Sequence, residues 1–211
     1  MEYAITLRHE VQFNHILDCS NRECIGGILV LNAEHITITN FNANSRYPKD
    51  AIGEAPAVDV YWTNGKGSHS IILTESTFLK RCARYRVIDW RAARGIISHN
   101  TIENVLPAYE SDARFPIRIL PYSSFNIGFI MYGNYVYVNR LWGDPETYEG
   151  TYRSCVYCEA TGGTPDYPTG VIAMNELATP YETYDELKYS WGAAGAHVLE
   201  YCNQEFSWGF S

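Results

Sequence analysis

Short runs of apolar residues recur along the chain at a nearly constant spacing. The four clearest runs begin at residues 28, 58, 88 and 117, so their starting points lie 30, 30 and 29 residues apart. Each run has an apolar-x-apolar core, as in Val58-Asp59-Val60, which is typical of a short strand with one buried face. A strand that recurs at a fixed period indicates a repeat architecture. We therefore expect a chain that coils and lays one such strand, or rung, directly above the last.

A second strand-like segment follows each rung, and these segments share an ending. The ending is a small polar residue, any residue and then an apolar residue. Where stacked strands turn a corner, inward-pointing Asn or Ser side chains can hydrogen-bond their copies above and below, at the strand spacing of about 4.8 Å. We interpret the polar residues as a structural ladder and assign them no chemistry. They are Thr39, Ser76, Asn100, Asn134 and Asn175.

This pattern resembles that of the right-handed parallel β-helices, the fold of pectate lyases, polygalacturonases and phage tailspikes. The rungs at 28, 58, 88, 117 and 156, together with the ladder, carry the resemblance over about residues 4–178. It implies an all-β, right-handed parallel β-helix solenoid of about five to six rungs. The resemblance specifies function only weakly, because β-helices host many activities and no catalytic signature of the family can be carried over.

The end of the chain departs from the repeat. Residues 179–182 combine a capping box with proline at the first helical position, which predicts a short helix at about residues 180–190. A last strand is predicted at 197–202, and aromatic residues follow it. We therefore divide the chain into a parallel β-helix over residues 1–178 and, over residues 179–211, a short helix, a last strand and an aromatic-rich cap.

The charge of the chain narrows the class of partner. A net charge of −8 argues against a nucleic-acid binder. Residues 80–94 carry a local charge of +5, which leaves −13 for the remainder. The basic segment favours an anionic ligand locally and the remainder opposes one, so we expect a neutral or mildly acidic glycan as the partner.

Targeting signals and cysteines add little evidence about the function. No apolar segment is long enough to span a bilayer, so no membrane partner is predicted. No signal peptide is visible at the amino terminus, which leaves open a cytosolic or virion-borne protein and a mature or excised fragment. Of these we expect a secreted or virion-associated protein. Among the six cysteines, Cys155 and Cys158 resemble half a zinc knuckle, but no second ligand pair appears at suitable spacing. We predict no metal or other cofactor, and a metal or redox module on this pair is the weakest alternative.

The rungs also predict which side chains face outward. The residue between the two apolar residues of a rung should point out of the helix, because side chains alternate along a strand. The first outward column is then Thr6, Leu29, Asp59, Asp89, Arg118 and Tyr157. The second column, two residues further on, is Arg8, Leu31, Tyr61, Arg91, Leu120 and Glu159.

Two aspartates in adjacent rungs are the candidate catalytic groups. Asp59 and Asp89 should lie about 5 Å apart at their backbones, with Arg118 one rung beyond. One carboxyl, kept protonated by its like-charged neighbour, would be the acid of glycoside cleavage, and the other the base or nucleophile. Arginine would hold substrate oxygens, and in a lyase acting on a uronate an arginine or tyrosine would take the proton. The predicted substrate-binding residues are Tyr61, Arg91, Tyr157 and Glu159.

Two classes of function remain open at this point. The first is a polysaccharide-binding and polysaccharide-cleaving enzyme of the hydrolase or lyase type, which requires one aspartate of the pair to have a raised pKa. The second is a non-catalytic structural or receptor-binding module of a virion or cell-surface assembly, which requires an oligomer such as a homotrimer. An aspartate beside an arginine on the next strand is also an ordinary cross-strand ion pair.

The remaining titratable residues are assigned minor parts. Glu75 and Glu103 are weaker acid candidates for a site on a different face. The histidines beside the second strands are interpreted as turn residues or neighbours of the ladder. They are His35, His69 and His99.

Overall fold

The structure, a computed structural model, is built from stacked parallel strands. It describes residues 3–8, 11–21, 26–45, 56–61, 68–80, 87–92, 94–106, 117–119, 128–140, 156–158, 169–179, 189–191, 197–201 and 204–207. Within these ranges the chain forms 21 strands, and no helix long and apolar enough to cross a membrane is found.

The strands form three parallel sheets of seven strands each. Sheet A contains β1 (Tyr3–Arg8), β4 (Gly26–Leu31), β7 (Val58–Tyr61), β10 (Ile88–Trp90), β13 (Ile117–Ile119), β16 (Val156–Cys158) and β19 (Tyr189–Trp191). Sheet B contains β2 (Gln12–Leu17), β5 (Glu34–Thr39), β8 (His69–Thr74), β11 (Arg94–Ser98), β14 (Gly128–Tyr132), β17 (Thr169–Ala173) and β20 (His197–Tyr201). Sheet C contains β3 (Ser20–Asn21), β6 (Asn42–Ser45), β9 (Thr77–Lys80), β12 (Thr101–Leu106), β15 (Tyr135–Arg140), β18 (Glu176–Thr179) and β21 (Gln204–Ser207).

The chain visits sheets A, B and C in turn, and each strand pairs with the strand three places earlier. This order confirms the predicted all-β solenoid of stacked parallel strands. The described residues hold seven strands in each sheet, and β19–β21 pair in parallel with β16–β18. The predicted count of about five to six rungs stays a prediction. Most of the predicted helix at 180–190 lies outside the described residues, and Tyr189 begins β19. The boundary proposed at residue 178 stays a prediction.

The register of sheet A is the one that the spacing predicted. Val58 pairs with Ile28 on one side and with Ile88 on the other, and Ile88 pairs in turn with Ile117. These four side chains are fully buried. Burial of aligned apolar columns from all three sheets supplies the main stabilising contribution, since each large aliphatic side chain adds about 1.5–3 kcal/mol.

The corner between sheets B and C has one left-handed residue in each of the six turns where the structure describes it. Such a residue bends the chain sharply from sheet B into sheet C. Gly, Asn, Asp and His adopt a left-handed conformation more readily than Glu or Met. Six positions with φ between 52° and 63° stack here, namely Asp18, Asn40, Glu75, His99, Gly133 and Met174. His99 therefore is the turn residue beside the ladder that the sequence indicated.

In four of these six turns the residue after the left-handed position points inward and belongs to the predicted ladder. Asn134 accepts hydrogen bonds from the backbone and side-chain amides of Asn100, both at 3.0 Å, and donates to Asn175 Oδ1 at 2.9 Å. The backbone amide of Ser76 donates to Asn100 Oδ1 at 2.9 Å. The side chains of these four residues therefore satisfy one another and the corner backbone in the interior, as buried polar groups must.

One predicted member of the ladder is wrong. Thr39 pairs with Thr74, two residues before the ladder position. The residue at the ladder position of that turn is the fully buried Phe41, whose backbone amide donates to Ser76 Oγ at 3.0 Å. An apolar side chain ends the ladder here, and the polar-x-apolar pattern by itself does not reveal that.

Asn134→Ala tests the ladder. Removal of the amide leaves the Asn100 backbone amide without its acceptor in the interior, and each buried unsatisfied group costs about 1–3 kcal/mol. We expect a loss of at least about 3 kcal/mol in the free energy of unfolding, measured by urea denaturation. Asn42→Ala, at an exposed position near the same corner, is the control and should stay within about 0.5 kcal/mol. Equal losses in the two variants would contradict the ladder.

Glycine makes room for large aromatic side chains in the core. A Cβ added at Gly95 would lie 2.4 Å from Trp90 Cζ2, and one added at Gly170 would lie 2.5 Å from Phe129. Both aromatic side chains are buried. Neither glycine has a positive φ, so the close approach of the rings, and not backbone conformation, excludes larger residues here.

Gly95→Ala should therefore destabilise the fold by overpacking, by about 1–3 kcal/mol. Gly128→Ala is the matched control, because a Cβ at Gly128 meets nothing within 4 Å, and it should change stability by less than about 0.5 kcal/mol. Thermal unfolding of the two variants beside the parent measures the difference. A Gly95→Ala protein as stable as the control would show that the core yields freely around Trp90.

Candidate functional site

The first outward column stacks as the sequence predicted. Asp89 pairs in register with Asp59 on one side and with Arg118 on the other. In β7 the valines on either side of Asp59 are buried while Asp59 is half-buried, which shows that its side chain leaves the core. The fold therefore brings the three predicted catalytic residues together on the outer face of sheet A.

Asp89 is the centre of a charge cluster. Its Oδ1 accepts a hydrogen bond from Arg118 Nε at 3.0 Å, and its Oδ2 contacts a terminal nitrogen of Arg118 as well. Arg91 also donates to Oδ2, at 3.3 Å. With 4% of its surface exposed, Asp89 is held by a bidentate arginine and a second cation, an arrangement that fixes geometry strongly.

Asp59 has a different environment one turn away. Tyr3 donates its hydroxyl to Asp59 Oδ2 at 2.7 Å. The other oxygen, Oδ1, is buried and has no hydrogen-bond partner among the described residues. The fold therefore gives the two stacked carboxyls unequal partners, which is the usual basis for separate acid and base roles.

The electrostatics follow from these contacts. The pKa of Asp59 is raised from 3.8 to about 6, chiefly by burial and in smaller part by the negative charge of Asp89. The hydrogen bond from Tyr3 and the charges of Arg91 and Arg118 act in the opposite direction. A carboxyl group with a pKa near 6 keeps its proton under mildly acidic conditions and can donate it to a bound ligand.

The second outward column adds a stacked pair. The Arg91 guanidinium lies over the Tyr61 ring, 4.3 Å from the ring centre to Cζ, a cation–π contact. The backbone amide of Arg91 donates to Val60 O at 2.9 Å, which fixes the residue beside β7. Two predicted substrate-binding residues are thus neighbours of the aspartate column, and Arg91 occupies one face of the tyrosine.

The other predicted site residues are placed only in part. Tyr157 pairs in register with Arg118, so its backbone continues the column. Glu159 lies outside the described residues, as does Cys155. The weaker acid candidates Glu75 and Glu103 lie at the sheet B–C corner and in β12, away from the aspartates.

One participant in the aspartate site was missed by the sequence reasoning. Tyr3, which donates to Asp59, stands at the start of β1 and outside both predicted columns, so no spacing pointed to it. Of the two arginines described in the basic segment 80–94, Arg91 bonds Asp89 while Arg94 lines a cleft on sheet B. Alternation in the sequence indicates which way a side chain leaves the strand, but not how far a long one reaches along the face.

Comparisons with protein-family models, with curated proteins and with solved structures give no match to this chain. The fold and the site define its class: a parallel β-solenoid with an arginine-clamped aspartate beside a protonatable one.

The raised pKa of Asp59 predicts a pH-dependent effect of Asp59→Asn. Between the ordinary value of 3.8 and the folded value of about 6, the folded protein holds a proton that the unfolded chain has lost, so this group's contribution to stability falls as pH rises through that range. Asparagine at residue 59 does not titrate, so the variant does not lose stability in this way as pH rises. We expect the two proteins to be equally stable near pH 4 and the variant to be more stable above pH 6, by up to about 3 kcal/mol.

Urea denaturation of parent and variant across that range measures the difference. Two stability curves that run parallel over the whole range would contradict the raised pKa.

Proposed function

We propose that this protein binds a polysaccharide along the outer face of sheet A and cleaves it, with Asp59 as the general acid. The observation that carries the proposal is the pair of stacked aspartates with unequal partners. Asp89 is held by two arginines, whereas among the described residues Tyr3 is the hydrogen-bond donor to Asp59. Glycosidic-bond cleavage uses one protonated carboxyl beside an ionised one, and the unequal partners of this pair favour that division of protonation states.

Each residue of the cluster has a part in this proposal. Asp59 donates its proton to the glycosidic oxygen, and the negative charge of Asp89 favours the protonated form of Asp59 beforehand. Substrate oxygens that accept hydrogen bonds from Arg118 would release one oxygen of Asp89, which then activates water or attacks the sugar. Tyr61, Arg91, Tyr157 and Glu159 would line the path of the chain. For a uronate substrate, the arginines would pair with its carboxylate.

A second candidate function is favoured by a specific observation. Both oxygens of Asp89 already accept hydrogen bonds from Arg118, and its carboxylate is almost fully buried. A carboxylate held in this way is a good structural ion pair and a poor base. The same face would then belong to a non-catalytic structural or receptor-binding module.

The handedness of the coil and its superfamily are part of this proposal. We infer a right-handed coil, because parallel crossovers in one sheet are right-handed in nearly all proteins. A right-handed solenoid with an inward asparagine ladder supports the assignment to the pectate lyase-like and tailspike-like superfamily. A secreted or virion-borne protein, and a homotrimer, would fit that class.

The experiment is a polysaccharide-degradation and glycan-array screen of the parent and Asp59→Asn. On a polysaccharide that the parent cleaves, we expect Asp59→Asn to lower turnover by roughly 10²–10⁴-fold, the usual effect of removing a general acid, while binding is retained. Parent activity should fall as pH rises through about 6, since Asp59 must be protonated. Asp18→Asn makes the same change at an exposed aspartate of the sheet B–C corner and should leave turnover unchanged.

The remaining outcomes separate the two candidate functions. Glycan binding by the parent without any cleavage would favour the binding module. Cleavage that survives Asp59→Asn would remove Asp59 from the mechanism. Circular dichroism of each variant verifies that the fold is intact.

A further inference from the structure

A second group of titratable side chains lies where the chain enters sheet B, on a different sheet from the aspartates. His69 Nε2 is 2.8 Å from Glu34 Oε1. The ligand atoms of Glu34, His35 and His69 all lie within 4.8 Å of one another. Two imidazoles and one carboxylate at this separation form a donor set suited to a transition metal.

The fold holds two of these residues on rigid backbone. Glu34 and His69 pair in register on the neighbouring strands β5 and β8. The backbone amide of Glu34 donates to Val11 O at 2.9 Å, and that of His69 donates to Ala33 O at 3.2 Å. Donors fixed in this way need little reorganisation to bind an ion.

His35 joins the pair because its backbone breaks the strand alternation. Its φ of 53° is left-handed and turns the residue to the side of its neighbours. The ring stacks on Phe13, with centroids 4.6 Å apart and planes 1° from parallel. It meets the His69 ring edge-on at 5.8 Å. The stacking restrains the imidazole beside the other two donors, and it gives the exposed Phe13 a role.

We propose that Glu34, His35 and His69 bind one Zn²⁺ ion. Zinc takes imidazole nitrogen and carboxylate oxygen at about 2.0–2.2 Å, and sites with three protein ligands keep an open fourth position. In a tetrahedral site the donors lie about 3.4 Å apart, so the Glu34–His69 pair must open slightly to admit the ion.

Neighbouring groups complete the site. Gln12 donates from Nε2 to Glu34 Oε2 at 3.2 Å, which orients the carboxylate and leaves Oε1 toward the histidines. Such outer contacts orient metal ligands in known sites. His35 also lines a cleft of about 440 Å³ with Phe13, His15 and Arg94, through which an ion can enter from solvent.

The test is calorimetric titration of ZnCl₂ into the full chain after metal removal by chelation. We expect Glu34→Gln, His35→Asn and His69→Gln each to weaken zinc binding by at least about 10-fold. Asparagine is chosen at residue 35 because it accepts a left-handed φ. MgCl₂ should give no binding at this site, since magnesium prefers sites built from oxygen.

His99→Asn is the matched control. His99 is an exposed histidine with the same φ of 53° at another corner, so this variant should bind zinc like the parent. Absence of zinc binding by the parent overturns the proposal. Binding that is unchanged in the three variants also overturns it, because the ion must then lie elsewhere, for instance on the six cysteines. Loss in only two variants would refute a three-ligand site. None of these outcomes bears on the glycan proposal.

Discussion

The in-register pairing of consecutive turns is the constraint on which the rest of the structure depends. Each strand is hydrogen-bonded to the strand one turn before it, so a residue lies about 4.8 Å from its counterparts above and below. Inward columns therefore consist of side chains that touch their own equivalents. This arrangement holds only if every turn closes at the same place. The left-handed residue followed by a buried, hydrogen-bonding Ser or Asn provides that closure at the corner between sheets B and C.

The same pairing has an electrostatic consequence on the outside. A register that aligns Val58 with Ile88 must also align Asp59 with Asp89, and like charges directly opposite each other destabilise a sheet. Arg118 in the next turn offsets this repulsion at Asp89. Asp59 lies one turn further from Arg118 and is not hydrogen-bonded to it. Its hydrogen bond comes from Tyr3, and its pKa is raised. The unequal aspartates thus arise from their positions in the stack.

Much of this was predictable from the sequence, for a physical reason. Sheet A strands pair without interruption from Ile28 to Ile117, so counting residues between apolar starts gave both the inward register and the outward columns. Three asparagines of the ladder were found from the polar-x-apolar ending that the second strands share. Thr39 was misplaced because Phe41 fills the ladder position, and Tyr3 was missed because its contact depends on the reach of a long side chain.

The Glu34, His35 and His69 cluster escaped prediction for a related reason. Left-handed residues at Phe13, His35 and Ser70 interrupt the start of sheet B, so simple alternation fails there. Despite the interruption the two strands stay in register, so Glu34 lies opposite His69 of the next turn. Interrupted strand starts therefore place polar side chains from successive turns beside one another without disturbing the buried columns. Since the inward positions are committed to packing, the outer columns and these strand starts are where such a solenoid can acquire chemistry.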